Sequence, residues 1–392
     1  MITKLYIIRH AEAEGNLYRR VQGHYDSSLT ELGLRQAKAL SERFMGLKLD
    51  VIYASDLVRA QSTARALAAP RNMALQLRPD LREVHMGRWE DMTWASLERY
   101  ETKQLGYFSA DPARWDIGTN ESFSALTNRM GKAIMEIALA HPGQTVATVT
   151  HGNAIRALLA RLHSLPSERF SEIPHCDNTA VTLLELGAEQ GLTLRWMNDA
   201  SHLGADLSTF ARQNWWRNPT GLDKGNLDFL SLSLDEPEAQ NRYLACRQDA
   251  WGEVHGSLAG FSDEYVALAV EHAAAHPRAL VEAVLSDGTP IGLLELDVNR
   301  GADKGEGHIS FFYLDPAYRE RGFGPQLIGH AVSVYRPLGR DRLTLHVSEA
   351  NENAIGFYGR FGFVKTGEIE GARGPLWVME KDISVRVRDV SL

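Results

Sequence analysis

Two histidines each follow a run of strand-type residues. His10 comes after Leu5-Tyr6-Ile7-Ile8-Arg9, and His151 after Val146-Ala147-Thr148-Val149-Thr150. Arg59 follows a third such run, Val51 to Ala54. In an open α/β sheet the C-terminal ends of parallel strands face the ligand crevice, so these side chains would share one edge. Two imidazoles with Arg9 and Arg59 make a cationic pocket suited to a phosphoryl group, whose oxygens guanidinium forks bind bidentately. A histidine there can attack phosphorus while the cations spread the developing charge. The leaving alcohol then needs a proton, and Glu83 and Glu121 are the candidate carboxylic acids.

A second constellation, Asp315-Pro-x-Tyr318-Arg319-x-Arg321-Gly322-Phe323-Gly324, lies between a strand and a helix. Backbone N–H groups at a helix start form an anion cradle. Gly322 and Gly324 permit close approach of a pyrophosphate, and Arg319 and Arg321 add charge. No Gly-Lys-Ser/Thr follows, so this is not a nucleotide P-loop, and it does not sit early in a βαβ unit as a dinucleotide fingerprint would.

The elements that must position these residues are legible from apolar spacing. In the first half, strands are expected at Leu5–Ile8, Val51–Ala54, Leu75–Leu77 and Thr145–Thr150, with an antiparallel edge pair at Thr179–Leu186 and Leu192–Met197. Helices are expected at Leu32–Met45, N-capped by Thr30, at Leu126–Ala140 before the stop His141-Pro142-Gly143, and at Asn153–Leu162. Glu14 to Ser28 reads as a polar loop, and about Gly87 to Thr127 as an irregular insert in which Trp89, Trp94 and Trp115 pack. The regular pattern lapses between Ser201 and Asn226, which places a domain boundary there, with Trp215-Trp216 suggesting a linker packed on a domain. In the second half, strands are expected at Leu227–Leu234, Ala279–Leu285, Ile291–Leu296, Ile309–Leu314, Arg342–Val347, near Phe363, and at Leu376–Glu380. Helices are expected at Glu236–Trp251, Asp263–His276, Pro325–Tyr335 and Asn353–Phe361.

With 392 residues, 44% hydrophobic and 23% charged, the chain can build two ordinary cores. Its 42 basic and 50 acidic residues give −8, which argues against nucleic acid or anionic membrane as a partner. The two cysteines, Cys176 and Cys246, have no metal-ligand spacing and suggest a reducing cytoplasm. No secretory leader and no apolar run of about 18 residues is visible.

The first half carries further blocks: Gln22-Gly23-x-x-Asp26-x-x-Leu29-Thr30-x-x-Gly33-x-x-Gln36-Ala37, Ser55-Asp56-Leu57-x-Arg59-Ala60-x-x-Thr63-Ala64, Leu81-x-Glu83-x-x-x-Gly87-x-Trp89-Glu90, Glu121-Ser122 and Thr150-His151-Gly152-Asn153-x-Ile155-Arg156. With Arg9-His10-Ala11, where the family has Arg-His-Gly, residues 1–205 resemble the histidine phosphatase, or phosphoglycerate mutase-like, superfamily. The resemblance implies a three-layer α/β/α domain in which His10 is phosphorylated, and Arg9, Arg59 and His151 hold the phosphate. It also implies that Asn16, Gln22, Gly23 and Asn153 line the pocket, that Glu83 is the general acid, and that no metal is needed. The segment from His85 to Asp91 is similar to phosphatase members more than to mutases, which favours hydrolysis of a small-molecule phosphate ester; phosphoglycerate mutase-type transfer is the alternative. His85 could reach a substrate, although a role in the fold is the simpler reading, and His24, His163, His175 and His202 read as surface or loop residues.

After a 206–226 linker, the cradle and Asn351-x-x-Ala354-Ile355-x-Phe357-Tyr358-x-x-x-Gly362-Phe363 resemble the GNAT acetyltransferase family over about 227–383, in a domain carried to Leu392. This implies an α+β domain with a mixed sheet that transfers acetyl from acetyl-CoA to a small-molecule or peptide amine. By the resemblance, the backbone of Arg319, Arg321, Gly322, Phe323 and Gly324 holds the pyrophosphate, while the strand end at Leu314 and Asn351 meet the pantetheine arm. Tyr358 protonates the thiolate. Glu295, Glu306 and His308 are candidates for a general base that no motif fixes. A non-catalytic, acetyl-CoA-sensing second domain is the alternative, and homo-oligomerisation is left open.

Overall fold

The computed structural model describes residues 1–189, 191–212 and 225–389. These fall into two compact units. The first takes the described residues of Met1–Met92, Leu97–Lys224 and Val385–Leu392, and the second takes Thr93–Ser96 and Gly225–Ser384.

The first unit runs β1 (Thr3–Arg9), α1 (Glu14–Leu17), α2 (Glu31–Phe44), β2 (Val51–Ala54), α3 (Val58–Ala68), β3 (Leu75–Leu77), α4 (Trp94–Tyr100, which belongs to this unit from Leu97 on), α5 (Thr102–Ala110), α6 (Phe123–Ala140), β4 (Thr145–Thr150), α7 (Gly152–Leu162), β5 (Val181–Gly187), β6 (Gly191–Asp199) and α8 (Thr209–Arg212). Its sheet has the order β3-β2-β4-β1-β5-β6. The first four strands are parallel, and β5 and β6 close one side antiparallel. Leu40 and Phe44 of α2 and Ala60, Ala64 and Leu67 of α3 cover one face over Ile8, Ile52 and Val149. α6 and α7 lie together on the other face, giving the three-layer α/β/α arrangement. Burial on both faces explains why the central strands read as continuous apolar runs.

The expected polar loop after β1 contains one helical turn, α1, which Asn16 closes by accepting the Ala13 N–H at 3.0 Å. The insert is α4, α5 and short 3-10 turns around Trp89, Trp115 and Phe108, whose rings meet at 4.9–6.1 Å.

The second unit runs β7 (Asp228–Ser231), α9 (Pro237–His255), α10 (Glu264–Ala275), β8 (Leu280–Val284), β9 (Pro290–Asp297), β10 (Glu306–Leu314), α11 (Gly324–Tyr335), β11 (Arg342–Ser348), α12 (Glu352–Arg360), β12 (Val364–Gly371) and β13 (Gly374–Asp382). The sheet order is β12-β13-β11-β10-β9-β8-β7. All pairs are antiparallel except β10–β11. That pair is short, from Glu306↔Arg342 to Ile309↔Leu345. Beyond it, β10 pairs only with β9 and β11 only with β13, so the two central strands part. Tyr243, Ala269, Leu280, Leu293 and Tyr313 form the core on the α9/α10 face.

Two domain limits read from the sequence change. Leu207 and Thr209 accept from Gln36 Nε2 at 2.7 and 2.8 Å, so the start of the expected linker is bound into the first unit. Residues 385–389 also belong there: Arg386 N–H donates to Ser28 Oγ at 3.2 Å and Arg388 N–H to Ser62 Oγ at 3.0 Å. The paired tryptophans lie outside the described residues. Among the described residues, no helix is long and apolar enough to cross a membrane.

Candidate functional site

β1 and β4 pair in parallel up to Arg9↔Thr150, so His10 and His151 leave the same sheet edge together. Both are buried, with ring centroids 5.1 Å apart. The His10 backbone is clamped, its N–H donating to the Thr150 carbonyl at 2.9 Å and its carbonyl accepting from Asn178 Nδ2 at 2.9 Å. His10 Nδ1 lies 2.7 Å from the Ala11 carbonyl. A carbonyl only accepts, so Nδ1 carries the hydrogen and Nε2 keeps the lone pair. Burial, then the charges of Arg59 and Arg9, hold the imidazole well below its ordinary value. It is therefore neutral at pH 7, as a nucleophile requires. Alanine replaces the family's glycine without strain, because Ala11 has a negative φ and its N–H reaches Thr63 Oγ1 at 2.9 Å.

The cations are fixed by backbone carbonyls rather than by tight ion pairs. Arg59, fully buried on α3, donates from Nη1 to Tyr25 O at 3.0 Å and from Nη2 to Gly23 O at 2.6 Å, with Asp26 at 3.6 Å. Gly23 is demanded twice: its φ is +54°, and a Cβ would stand 2.5 Å from Glu90 Oε1. Arg9 donates from Nη1 to Cys176 O at 2.5 Å. Its Nε would be 3.5 Å from a Cβ on Gly152, at the start of α7. His151 Nε2 is 2.9 Å from Ser55 Oγ. Arg9 Nε, Arg59 Nε and His151 Nδ1 are buried polar atoms without a hydrogen-bond partner among the described residues. Buried donors of this kind need an explanation, and they fit a bound anion.

Glu83 stands at the same edge. Its carboxylate accepts the N–H of Asn153 at 3.0 Å and of Ala154 at 2.9 Å, capping α7. Glu121 is engaged elsewhere: Arg129 holds it bidentately at 2.8 and 2.7 Å. Asn16 and Gln22 turn their carbonyl oxygens to Ala13 N–H and the Ser27 hydroxyl, both at 3.0 Å. Their amide NH2 groups have no partner among the described residues. Asn153 Oδ1 accepts from Arg156 at 3.2 Å.

Several residues at this edge are not singled out by the sequence pattern. Ser55 and Thr63 lie within a quoted block, and their hydroxyls carried the signal. Asn178 had none, because only the antiparallel return of β5 brings it to His10. His24 is not a plain loop residue, since its Nε2 donates to Glu83 O at 2.9 Å and its ring lies 4.8 Å from that of His85. His202 is held between Arg43 and Thr179 at 3.1 and 3.0 Å.

In the second unit the cradle is present. Gly322 has φ +83° with open space around a Cβ, whereas a Cβ on Gly324 would stand 2.6 Å from Phe357. Phe323, the N-cap of α11, offers no side-chain bond to the helix's first N–H groups. An uncapped helix start beside the gap between β10 and β11 fits a pyrophosphate and an extended amide-bearing arm. Arg321 has no ion-pair partner among the described residues and stacks on Tyr318 at 5.4 Å. Arg319 is different: Glu253 holds it at 2.6 and 2.9 Å, and its Nε donates to Leu314 O at 2.9 Å. Its charge is neutralised, and the Leu314 carbonyl is taken; the unpaired edge of β10 is Ser310–Tyr313. Asn351 Oδ1 caps α12 through Ala354 N–H at 3.0 Å. The Tyr358 ring is buried among Phe312, Phe357 and Phe363. Burial pushes its hydroxyl up, and it makes no hydrogen bond among the described residues.

Comparison with known proteins follows the same division. Residues 5–199 match the model of the histidine phosphatase superfamily (branch 1), and residues 238–363 that of the acetyltransferase (GNAT) family. A metal-independent phosphoserine phosphatase of Arabidopsis thaliana is 32% identical over 210 residues, 52% of this chain and 84% of that protein. A putative phosphoserine phosphatase 2 of Hydrogenobacter thermophilus is 31% identical over 200 residues, 51% of this chain and 97% of its own. A probable phosphoglycerate mutase of Yersinia pestis is 32% identical over 205 residues, 51% of this chain and 94% of its own. Among solved structures, Bacillus stearothermophilus YhfR is 32% identical and covers 51% of this chain and 98% of its own, with a TM-score of 0.49.

Proposed function

This chain belongs to the histidine phosphatase superfamily over residues 5–199 and carries a GNAT-family domain over 238–363; from that premise we propose that it is a bifunctional enzyme, a phosphomonoesterase followed by an acetyl-CoA-dependent N-acetyltransferase. The observation that carries the first activity is the set of three orphaned buried nitrogens, Arg9 Nε, Arg59 Nε and His151 Nδ1, around a neutral His10. His10 Nε2 attacks phosphorus and the P–O bond to the alcohol breaks. Arg9, Arg59 and His151 bind the equatorial oxygens. Glu83, at the start of α7, gives the departing alkoxide its proton. Water then attacks the phosphohistidine with Glu83 as base, releasing inorganic phosphate and restoring His10.

The relatives named as phosphoserine phosphatases favour a small, charged phosphate ester such as phosphoserine. The test is product analysis with phosphoserine and 3-phosphoglycerate. Free phosphate is expected from the former; an isomerised phosphoglycerate with no phosphate release would replace hydrolysis by mutase chemistry.

For the second activity, the open β10 edge and the uncapped start of α11 support acetyl-CoA binding. Backbone N–H groups from Arg321 to Gly324 would hold the pyrophosphate, with Arg321 supplying charge. Tyr358 would protonate the leaving thiolate. Calorimetric titration with CoA tests this, and Gly322→Val should abolish the binding.

A further inference from the structure

The second unit holds titratable side chains that the cradle does not use. Register places Asp297 opposite His308 and His308 opposite Thr344, so three side chains stand in a row on one face of the sheet. It is the face that α9 and α10 cover. Glu295, two residues before Asp297 and on its side, accepts from Tyr243 at 2.7 Å and Arg247 at 2.6 Å on α9, and pairs with His272 of α10. His272 Nδ1 is 2.7 Å from Glu295 Oε1, and its Nε2 is 3.5 Å from Asp297 Oδ2. His346 extends the row, its ring 4.9 Å from His308 and its Nε2 3.3 Å from Arg300. The row lies beside Ile309↔Leu345, the last pair before β10 and β11 part.

A buried carboxylate that receives Nδ1–H from an imidazole orients the opposite nitrogen, the base-and-orienter pairing of nucleophilic enzymes. The rival bases are otherwise engaged. Glu295 has both oxygens occupied, Glu306 faces Arg342 at 3.7 Å, His308 is buried with Nδ1 on Thr344 at 3.0 Å, and His346 faces Arg300. We propose that His272 is the general base of the second unit, oriented by Glu295, and that the acceptor is a cationic primary amine seated against Asp297; this rests on the acetyltransferase reading above. The ammonium loses one proton to His272 Nε2, and the freed amine nitrogen attacks the thioester carbonyl carbon. A C–N bond forms and the C–S bond breaks. Tyr358 protonates the thiolate and regains its proton from the amide nitrogen, while His272 returns its own to solvent. Glu295 is a positioning residue.

Glu295 and Asp297 on β9 face His272 directly; around them stand Tyr243 and Arg247 on α9, which hold Glu295, and His308 on β10, with His346 on β11 and Arg300 beyond it. The Glu295 hydrogen bond dominates them and raises His272 above its ordinary 6.5. Transfer should therefore rise with pH through a value above 6.5.

The test uses the full chain with acetyl-CoA and putrescine, L-lysine and tryptamine as acceptors, aniline as the neutral control, and CoA titration in parallel. His272→Ala is expected to lower kcat about 100-fold and erase that pH limb. CoA affinity should be unchanged, and added imidazole should restore part of the rate. Asp297→Asn should raise KM for the cationic amines about tenfold with kcat kept. An unchanged rate and pH limb in His272→Ala overturns the proposal, as does a wild type that binds CoA but acetylates none of the cationic amines. Failure to bind CoA would overturn the acetyltransferase reading itself.

Discussion

His10 owes its nucleophilic form to burial, which together with the charges of Arg59 and Arg9 discourages a second proton, and to the Ala11 carbonyl, which ties Nδ1. His10→Ala should reduce hydrolysis of p-nitrophenyl phosphate to background with the circular dichroism spectrum intact; unchanged hydrolysis would sink the mechanism. Glu83→Gln should cost about 10²–10⁴-fold in turnover, the range for removing a general acid. It should cost less with p-nitrophenyl phosphate than with an alkyl ester, because nitrophenolate leaves without help. The pH dependence has a definite sign. His10 and His151 both lie well below 6.5 when folded, chiefly through burial. Between those folded values and 6.5 the unfolded chain binds more protons, so the first unit should lose stability as pH falls below about 6.5. Chemical denaturation between pH 5 and 7.5 measures this; a flat profile would contradict it.

At the scale of elements, α2 shows how one helix start serves a site it does not enter. Thr30 Oγ1 accepts the Gly33 N–H at 3.0 Å and donates to the buried Glu12 carboxylate at 2.7 Å, two residues past His10. Burial raises Glu12 above the usual carboxylate value. Thr30→Ala should destabilise the first unit by about 1–3 kcal/mol, combining a lost cap with an unsatisfied buried group, while Thr30→Ser should retain most of it. At Gly33 a Cβ would stand 2.0 Å from the Glu12 carbonyl oxygen. Backbone cannot yield cheaply, so Gly33→Ala should lower the thermal midpoint and also weaken catalysis by displacing the segment after His10. The sequence block Leu29-Thr30-x-x-Gly33 is thus explained by contact rather than by helix propensity, which alone would prefer alanine.

At the scale of the molecule, each unit has its own sheet and core. The two chemistries should therefore be separable by single substitutions. His10→Ala should leave CoA affinity unaltered, and Gly322→Val should leave phosphate release unaltered, as parallel assays of both variants would show. Arg386 and Arg388, although they follow the last strand of the second unit, bond to Ser28, Ser62 and Glu31 of the first. The Ser28 and Ser62 bonds are made by backbone N–H groups and survive side-chain removal, so Arg388→Ala, which removes only the guanidinium bonds to Leu29 O and Glu31, should lower the thermal midpoint of the first unit slightly.

The sequence by itself determined the two families and nearly all the elements, because buried parallel strands, helix caps and glycine turns leave local patterns that need no partner to be read. It also named His10, Arg9, Arg59, Glu83 and His151, whose types and positions after strands imply phosphoryl chemistry. Only the tertiary structure decided which of these groups are free. Arg319 is spent on Glu253 and Glu121 on Arg129, pairings made across 66 and 8 residues. Asn178 reaches His10 across 168 residues. The Glu295–His272 pair forms only because β9 and α10 are pressed together in one core. Such long-range pairings depend on where the strands return, and a local pattern cannot carry that information.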